Sequence, residues 1–128
     1  MDKRFVFSNS NEMQMVPHSA MVYIASSGNY STITLADGSD ILITQQLGQV
    51  EYELNKTIGY DDAAEFVRIG RKLILNCQYV LAINVAKQKI VMSDARTFRH
   101  ELTASKEALR QLKDYLTTIY NNDDSAKA

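Results

Sequence analysis

The residues best suited to chemistry lie in one run, Phe66-Val-Arg-Ile-Gly-Arg-Lys-Leu-Ile-Leu-Asn76. Arg68, Arg71 and Lys72 place three cations within five residues, around Gly70. Side chains of this kind hold an anion: a guanidinium offers a fork of N–H donors that matches phosphate, and an ammonium acts as a compact point charge. What flanks them is apolar. Phe66, Val67 and Ile69 surround Arg68 as in a short, half-buried strand, and Leu73, Ile74 and Leu75 return the chain to the interior. A loop anchored on both sides and offering charge to an anion is one reading. A solvated turn in a β-sheet is the other, and these residues alone favour the turn.

Other chemistry finds little support. His18 and His100 are far apart, and neither stands in metal-ligand spacing with Cys77 or an acid. His18 falls in a connection next to Pro17, where a surface or capping role is expected ahead of metal ligation. There is no G-x-S-x-G elbow, no P-loop and no G-x-G-x-x-G. Asp61-Asp62 and the Asp37/Asp40 pair sit among turn-forming residues and read as solvated turns. Cys77 is the only cysteine and reads as a small core residue of a protein in a reducing cytoplasm. No enzyme activity, cofactor or metal is expected.

The charge distribution points to a partner. The 128-residue chain carries a net −1, which taken whole argues against nucleic acid. From Phe66 to Lys113, however, ten Lys and Arg face three acids, a segment charge of +7, while the remainder carries four bases and twelve acids. Asymmetry of this kind sets a local field that lets one side dock an anionic partner. Mutual pairing of the two halves is the alternative. Hydrophobic residues at 45% and charged residues at 23% describe an ordinary globular protein. No apolar run approaches the ~18 residues of a membrane span, and Met1-Asp-Lys-Arg-Phe has no apolar stretch of a signal peptide behind it.

The elements that must position these groups are mostly strands. Residues 3–8 read as a strand closed by a turn at Asn9-Ser-Asn11, followed by Met13 to Val16-Pro17, with proline at a strand end or edge. Met21 to Ala25 is a buried strand and Ser26 to Asn29 a turn. Tyr30 to Leu35 and Ile41 to Thr44 form a hairpin about Asp37-Gly38. Leu47, Val50, Leu54 and Ile58 fall at helical spacing, with Thr44 or a polar neighbour as cap. Tyr60 to Glu65 is an acidic surface connection. Strands are expected at Tyr79–Val85 and Lys89–Ser93, about a turn at Lys87 to Lys89. A third, Thr97–Leu102, follows a turn at Asp94 to Arg96 and turns Phe98, His100 and Leu102 to one face. Ser105 or Thr103 caps a last helix whose stripe is Leu109, Leu112, Leu116 and Ile119. Residues 1–120 form a single domain and 121–128 a polar tail. Two helices separated by about fifty residues and several strands do not make a helix-turn-helix, so any DNA contact falls to turns and strand ends.

Several of these stretches resemble one family. Met21-Val-Tyr-Ile-Ala-Ser-Ser-Gly-Asn-Tyr30 is similar to the "I-x-Y-I-E-A-x-G-N-Y" opening of the LytTR DNA-binding domains. Phe66 to Asn76 resembles their "F-x-R-I-H-R-S-y-l-V-N" block, and Leu102-Thr-Ala-Ser-Lys106 their closing "l-p-v-S-r". Asp37-Gly38 falls at the family's hairpin and Leu47 to Leu54 at its helix, so the match in order runs over roughly residues 13–116. The resemblance implies a mainly β fold (β/α+β) of small stacked antiparallel sheets with one short central helix and a C-terminal helix. It also implies a cytoplasmic transcriptional regulator that binds double-stranded DNA sequence-specifically through loops, on repeated half-sites and as a homodimer on DNA. The DNA-binding residues it carries onto this chain are Asn29 and Tyr30, then Gly70, Arg71 and Lys72, then Ser105 and Lys106. Arg68, Arg96, Arg99 and Arg110 are weaker phosphate candidates.

The chain departs from the pattern in places. Gly70 stands where histidine is common, Lys72 where serine is common, Ala25 in place of glutamate and Ala104 in place of valine. The departures at Gly70 and Lys72 are expected to redistribute the contacts of the central loop. Most members of the family follow a phosphoacceptor receiver domain and nothing precedes residue 1 here, so a stand-alone, response-regulator-like domain is expected. The rival reading is a protein-interaction module of the same fold that modulates a full-length regulator without productive DNA binding.

Overall fold

In a computed structural model of the chain, residues 3–8, 10–58 and 66–120 are described. Among the described residues, ten strands form three antiparallel sheets, with one α-helix after the fifth strand and another after the tenth. Strands β1 (Arg4–Ser8) and β2 (Met13–Pro17) form a two-stranded hairpin. Strands β3 (Met21–Ser27), β4 (Tyr30–Leu35), β5 (Asp40–Ile43), β6 (Phe66–Ile69) and β7 (Leu73–Asn76) form a five-stranded sheet in the order β5-β4-β3-β7-β6. Strands β8 (Val80–Asn84), β9 (Lys89–Ser93) and β10 (Arg99–Thr103) form a three-stranded meander. Helix α1 (Leu47–Ile58) joins β5 towards β6, and α2 (Lys106–Tyr120) closes the described chain.

The near-continuous apolar run of β3 follows from its place. It is the middle strand of the five, paired with β4 and β7, and the sheet is covered on both faces, so successive side chains all need to be apolar. On one face Ile24, Ile33 and Ile74 pack with Leu47, Val50 and Leu54 of α1 and with Phe5 and Val16 of the hairpin. On the other, Val22, Ile69 and Leu75 pack with Ile90 and Met92 of β9 and with Ala108, Leu109 and Leu112 of α2. Both helices are amphipathic and lay their apolar stripes on this sheet or its neighbour. Leu109 and Leu112 are almost wholly removed from water, each contributing roughly 1.5–3 kcal/mol before entropy is subtracted.

Asn76 ties the two cores together. It is fully buried at the end of β7, its Nδ2 donates to the Met21 carbonyl at 2.9 Å and the His18 carbonyl at 3.4 Å, and its Oδ1 accepts from Gln78 N. The short 3₁₀ turn His18–Ala20 is thereby drawn under the sheet. This corrects the expected surface or capping role of His18: its side chain is 1% exposed and stands edge-on to Phe66, ring centres 6.0 Å apart. A proline-flanked connection looks like a surface loop in sequence. Here it is a crossover between the hairpin and β3, and crossovers pass under other elements. Cys77 is buried, as expected.

The remaining boundaries hold within two residues. The strand read as Tyr79–Val85 is Val80–Asn84, preceded by a 3₁₀ turn Cys77–Tyr79, and that read as Thr97–Leu102 is Arg99–Thr103. Phe98 and His100 do share an inward face, with ring centres 5.6 Å apart and Tyr79 and Tyr23 edge-on to them. The helical stripe gains Ala108. The turn at residue 9, the Ile58 side chain, the acidic connection at Tyr60 to Glu65 with Asp61-Asp62, and the tail from residue 121 lie outside the described residues.

Candidate nucleic-acid interface

The candidate interface is built from the ends of strands. Phe66 pairs with Asn76 and Ile69 with Leu73, so β6 and β7 are a tight hairpin whose tip is Gly70-Arg71-Lys72. Gly70 sits at φ +59, the left-handed region that glycine enters without a Cβ penalty, and this lets the chain reverse within three residues. The tip is braced on both sides. Arg68 Nη2 donates to the Arg71 carbonyl at 3.1 Å while its Nη1 reaches Glu51 of α1 at 3.3 Å. On the other side Ser26 N–H donates to the Lys72 carbonyl at 2.8 Å. With the backbone held, the side chains of Arg71 and Lys72 are left exposed and make no ion pair among the described residues.

The second segment is the β3–β4 turn. Ala25 pairs with Leu73 in antiparallel register, and beyond that pair lie Ser26 and then the turn residues Gly28 and Asn29 on one side and Lys72 of the tip on the other. The turn carrying Asn29 therefore stands at the same end of the sheet as the Gly70–Lys72 tip. Asn29 is exposed and its Oδ1 accepts from Gln46 Nε2 at 3.2 Å, just ahead of α1, which leaves its Nδ2 hydrogens to donate. Tyr30 is 47% exposed.

The third segment is the start of α2. Ser105 Oγ accepts from Ala108 N at 3.1 Å, the N-cap expected of it, and Glu107 lies in the first turn. Lys106 is exposed. Gly70, Arg71 and Lys72 share an open cleft of ≈ 530 Å³ with Ser105, so the first and third segments face each other across it. Asn29 and Tyr30 lie beyond Ser26, which lines the same cleft. All seven expected contact residues are exposed.

The weaker candidates divide. Arg68 is committed to bracing the tip, and Arg99 pairs with Glu101 at 3.1 Å, where Lys89 also pairs at 3.2 Å. Lys89 holds the Glu101 carboxyl below its usual range by a hydrogen bond and its charge, and Arg99 adds its own charge. Arg96 belongs to the β9–β10 turn, at the end of the three-stranded sheet away from α2, because it is the β8–β9 turn that meets the helix start, through Gln88 and Ala104. Arg110 lies one turn after Lys106, and Lys113 three residues further, on one exposed face of α2. Two cations missed by sequence reasoning emerge here. Lys113 could have been found from its i, i+3 spacing to Arg110; Lys87, in the turn beside Ala104, could not, since only the fold brings that turn to the helix start. Among the described residues no group of His, Cys, Asp and Glu could hold a metal ion.

With this geometry in place the comparisons decide the family. The LytTr DNA-binding domain model matches residues 11–117. The chain belongs to the LytTR family of DNA-binding domains. That family regulates transcription and is not an enzyme family. Among solved structures, the chain is similar to the LytTr DNA-binding domain of a Bacillus cereus protein described as a methyl-accepting/DNA response regulator. The TM-score is 0.60 at 15% identity, covering 91% of this chain and 98% of that one, which shows the same fold. No curated protein matches. Among the described residues no helix is long and apolar enough to cross a membrane.

Proposed function

We propose that this LytTR domain is a cytoplasmic, sequence-specific regulator that reads DNA through three loops, without a recognition helix. The observation carrying the proposal is the convergence of Gly70–Lys72, the α2 start and the β3–β4 turn at one end of the molecule, with Arg71, Lys72 and Lys106 all exposed and unpaired among the described residues. Neither helix is free to enter a groove by its own face in the manner of a helix-turn-helix, since both lay their apolar stripes on sheets. Arg71 and Lys106 are assigned to base edges, with Asn29 and Tyr30 as the third point. Lys72, Lys87 and Arg110 are assigned to phosphates. Two copies occupy repeated half-sites.

The test is a pull-down of genomic fragments with the purified protein, followed by sequencing. Enrichment of a repeated motif supports the reading. Recovery of no motif at low salt refutes it and favours the interaction module. That second reading has an observation of its own: Val6, Met13 and Met15 are exposed on the outward face of the β1–β2 hairpin, Val6 and Met15 paired directly across it.

A further inference from the structure

We infer that Gln46 is a further specificity residue, which forms with Asn29 a paired-amide reader for a single adenine in the major groove. The inference rests on the DNA reading proposed above, which gives Asn29 a base contact and Gln46 none. Gln46 stands immediately ahead of α1. Its carbonyl accepts from the N–H groups of Gln49 and Val50 at 3.0 and 3.1 Å, which makes it the N-cap residue. That position favours Ser, Thr, Asp or Asn, whose short side chains fold back onto the helix. The Gln46 side chain instead reaches across to the β3–β4 turn and donates from Nε2 to Asn29 Oδ1 at 3.2 Å.

Both ends of this bridge are anchored. Asn29 follows Gly28, at φ +66, in a two-residue turn closed by the Ser27–Tyr30 pair. On the other side Ser31 of β4 donates from Oγ to the Gln45 carbonyl at 2.8 Å, which ties the approach to α1 to the same hairpin. Both residues are exposed, and neither side-chain amide has another partner among the described residues. What remains unspent is the Asn29 Nδ2 donor and the Gln46 Oε1 acceptor. Turning both amides over exchanges donor and acceptor without changing the set. On its major-groove edge adenine presents an N7 acceptor next to an N6 donor, whereas guanine presents two acceptors, cytosine a donor and thymine an acceptor. One donor with one acceptor therefore matches adenine and leaves a group unmet against any other single base. Fixed backbones at both ends reduce the freedom lost on contact.

The test is a selection from a library randomised around the recovered motif, run with wild type, Gln46→Ala and Asn29→Ala. Wild type should prefer adenine at one position by about 5–150-fold. Both variants should lose that preference and keep the preferences elsewhere, and the double variant should lose nothing further, as expected of two residues that act as one reader. Replacing that adenine by 7-deazaadenine, which lacks the N7 acceptor, should weaken wild type by about fivefold or more and leave Gln46→Ala unmoved. Thermal unfolding should place both variants within a few degrees of wild type, since each loses only an exposed contact. Adenine preference retained in Gln46→Ala makes Asn29 the sole reader and overturns the inference. So does a motif with no adenine position sensitive to either residue. A readout without DNA separates failure of the pair from failure of the DNA reading: in the free protein Asn29→Ala should shift the Gln46 side-chain NH2 resonances by NMR. Unshifted resonances overturn the pair whatever the DNA does, and recovery of no motif with the shift present overturns the DNA reading and the adenine assignment with it.

Discussion

Arg68 and Arg71 are three residues apart on one hairpin, one paired and bracing the tip and the other exposed, and the proposed function gives them opposite jobs, which alanine substitution separates. Arg68 is 29% exposed in its side chain, pairs with Glu51 and donates to the Arg71 carbonyl. A partly exposed ion pair contributes ~0.2–1 kcal/mol and a hydrogen bond to a backbone carbonyl ~0.5–1.5 kcal/mol. Arg68→Ala should therefore destabilise the fold by ~1–2 kcal/mol, a fall in Tm of about 4–8 °C for a domain of this size. Arg71 makes no side-chain contact of this kind, so Arg71→Ala should leave stability within ~0.5 kcal/mol. In DNA binding the order reverses. Loss of a base contact costs ~1–3 kcal/mol, or about 5–150-fold in Kd, whereas Arg68→Ala should weaken binding less, through a looser tip. Thermal unfolding gives the first quantity and fluorescence anisotropy on the selected fragment gives the second. A folded Arg71→Ala protein with wild-type affinity refutes the assignment. So does a selective loss of affinity in Arg68→Ala at unchanged Tm, which would make Arg68 the contact and Glu51 merely its resting partner.

The salt dependence follows from the cations left unpaired. The three phosphate contacts assigned to each copy give a slope of log K against log salt of about −2.7, and a salt-insensitive complex rules out the electrostatic face. Gly70→Ala meets open space but a φ of +59, so its cost is conformational, about 1–2 kcal/mol in a denaturant titration; a neutral result shows that the tip relaxes to another turn. Asn76→Leu leaves the Met21 and His18 carbonyls and Gln78 N–H without their buried partner and should cost at least ~1–3 kcal/mol, measured as a shift of the denaturation midpoint. Asp94 accepts from the Thr97 hydroxyl and from the backbone N–H groups of Thr97, Arg96 and Phe98, which hold its carboxyl well below the usual range. A carboxylate with a depressed folded pKa stabilises above its unfolded value, near ~3.9, and loses that contribution as pH falls. The Tm gap between wild type and Asp94→Asn should be full at neutral pH, begin to narrow as pH falls towards ~4 and go on narrowing with further acid; a gap that does not narrow as pH falls below ~4 shows that the charge is not its source.

Much of this fold was legible because each element carries its own period. Tyr30–Leu35 and Phe66–Ile69 have the same limits in the structure as in the sequence, since alternation and a following turn mark both ends. The α2 stripe and its serine cap were equally local. The burial of His18 was not, because it depends on Asn76, 58 residues away, reaching back to the His18 carbonyl. The charge pattern was half legible. Sequence gave +7 over residues 66–113, yet Arg68 spends its charge on Glu51 from the other half, and Lys89 and Arg99 share Glu101 within the segment. A net charge cannot distinguish cations that brace from cations that face outward.

That distinction is also why the proposed DNA face is the hairpin tip and not the strands that make it. A phosphate or a base edge needs a donor that is already desolvated from competing partners and held in place. Backbone bracing supplies the second condition: the Arg71 carbonyl is fixed by Arg68 and the Lys72 carbonyl by Ser26, so the side chains between them start from a defined position. Arg99 and Lys89 meet neither requirement, since DNA would have to displace Glu101 first. A Glu101→Gln variant tests this directly. If the strand cations are held back only by their partner, freeing them should raise non-specific DNA affinity and steepen its salt slope, with the tip-dependent specific affinity unchanged. A gain in specific affinity would move Arg99 into the interface.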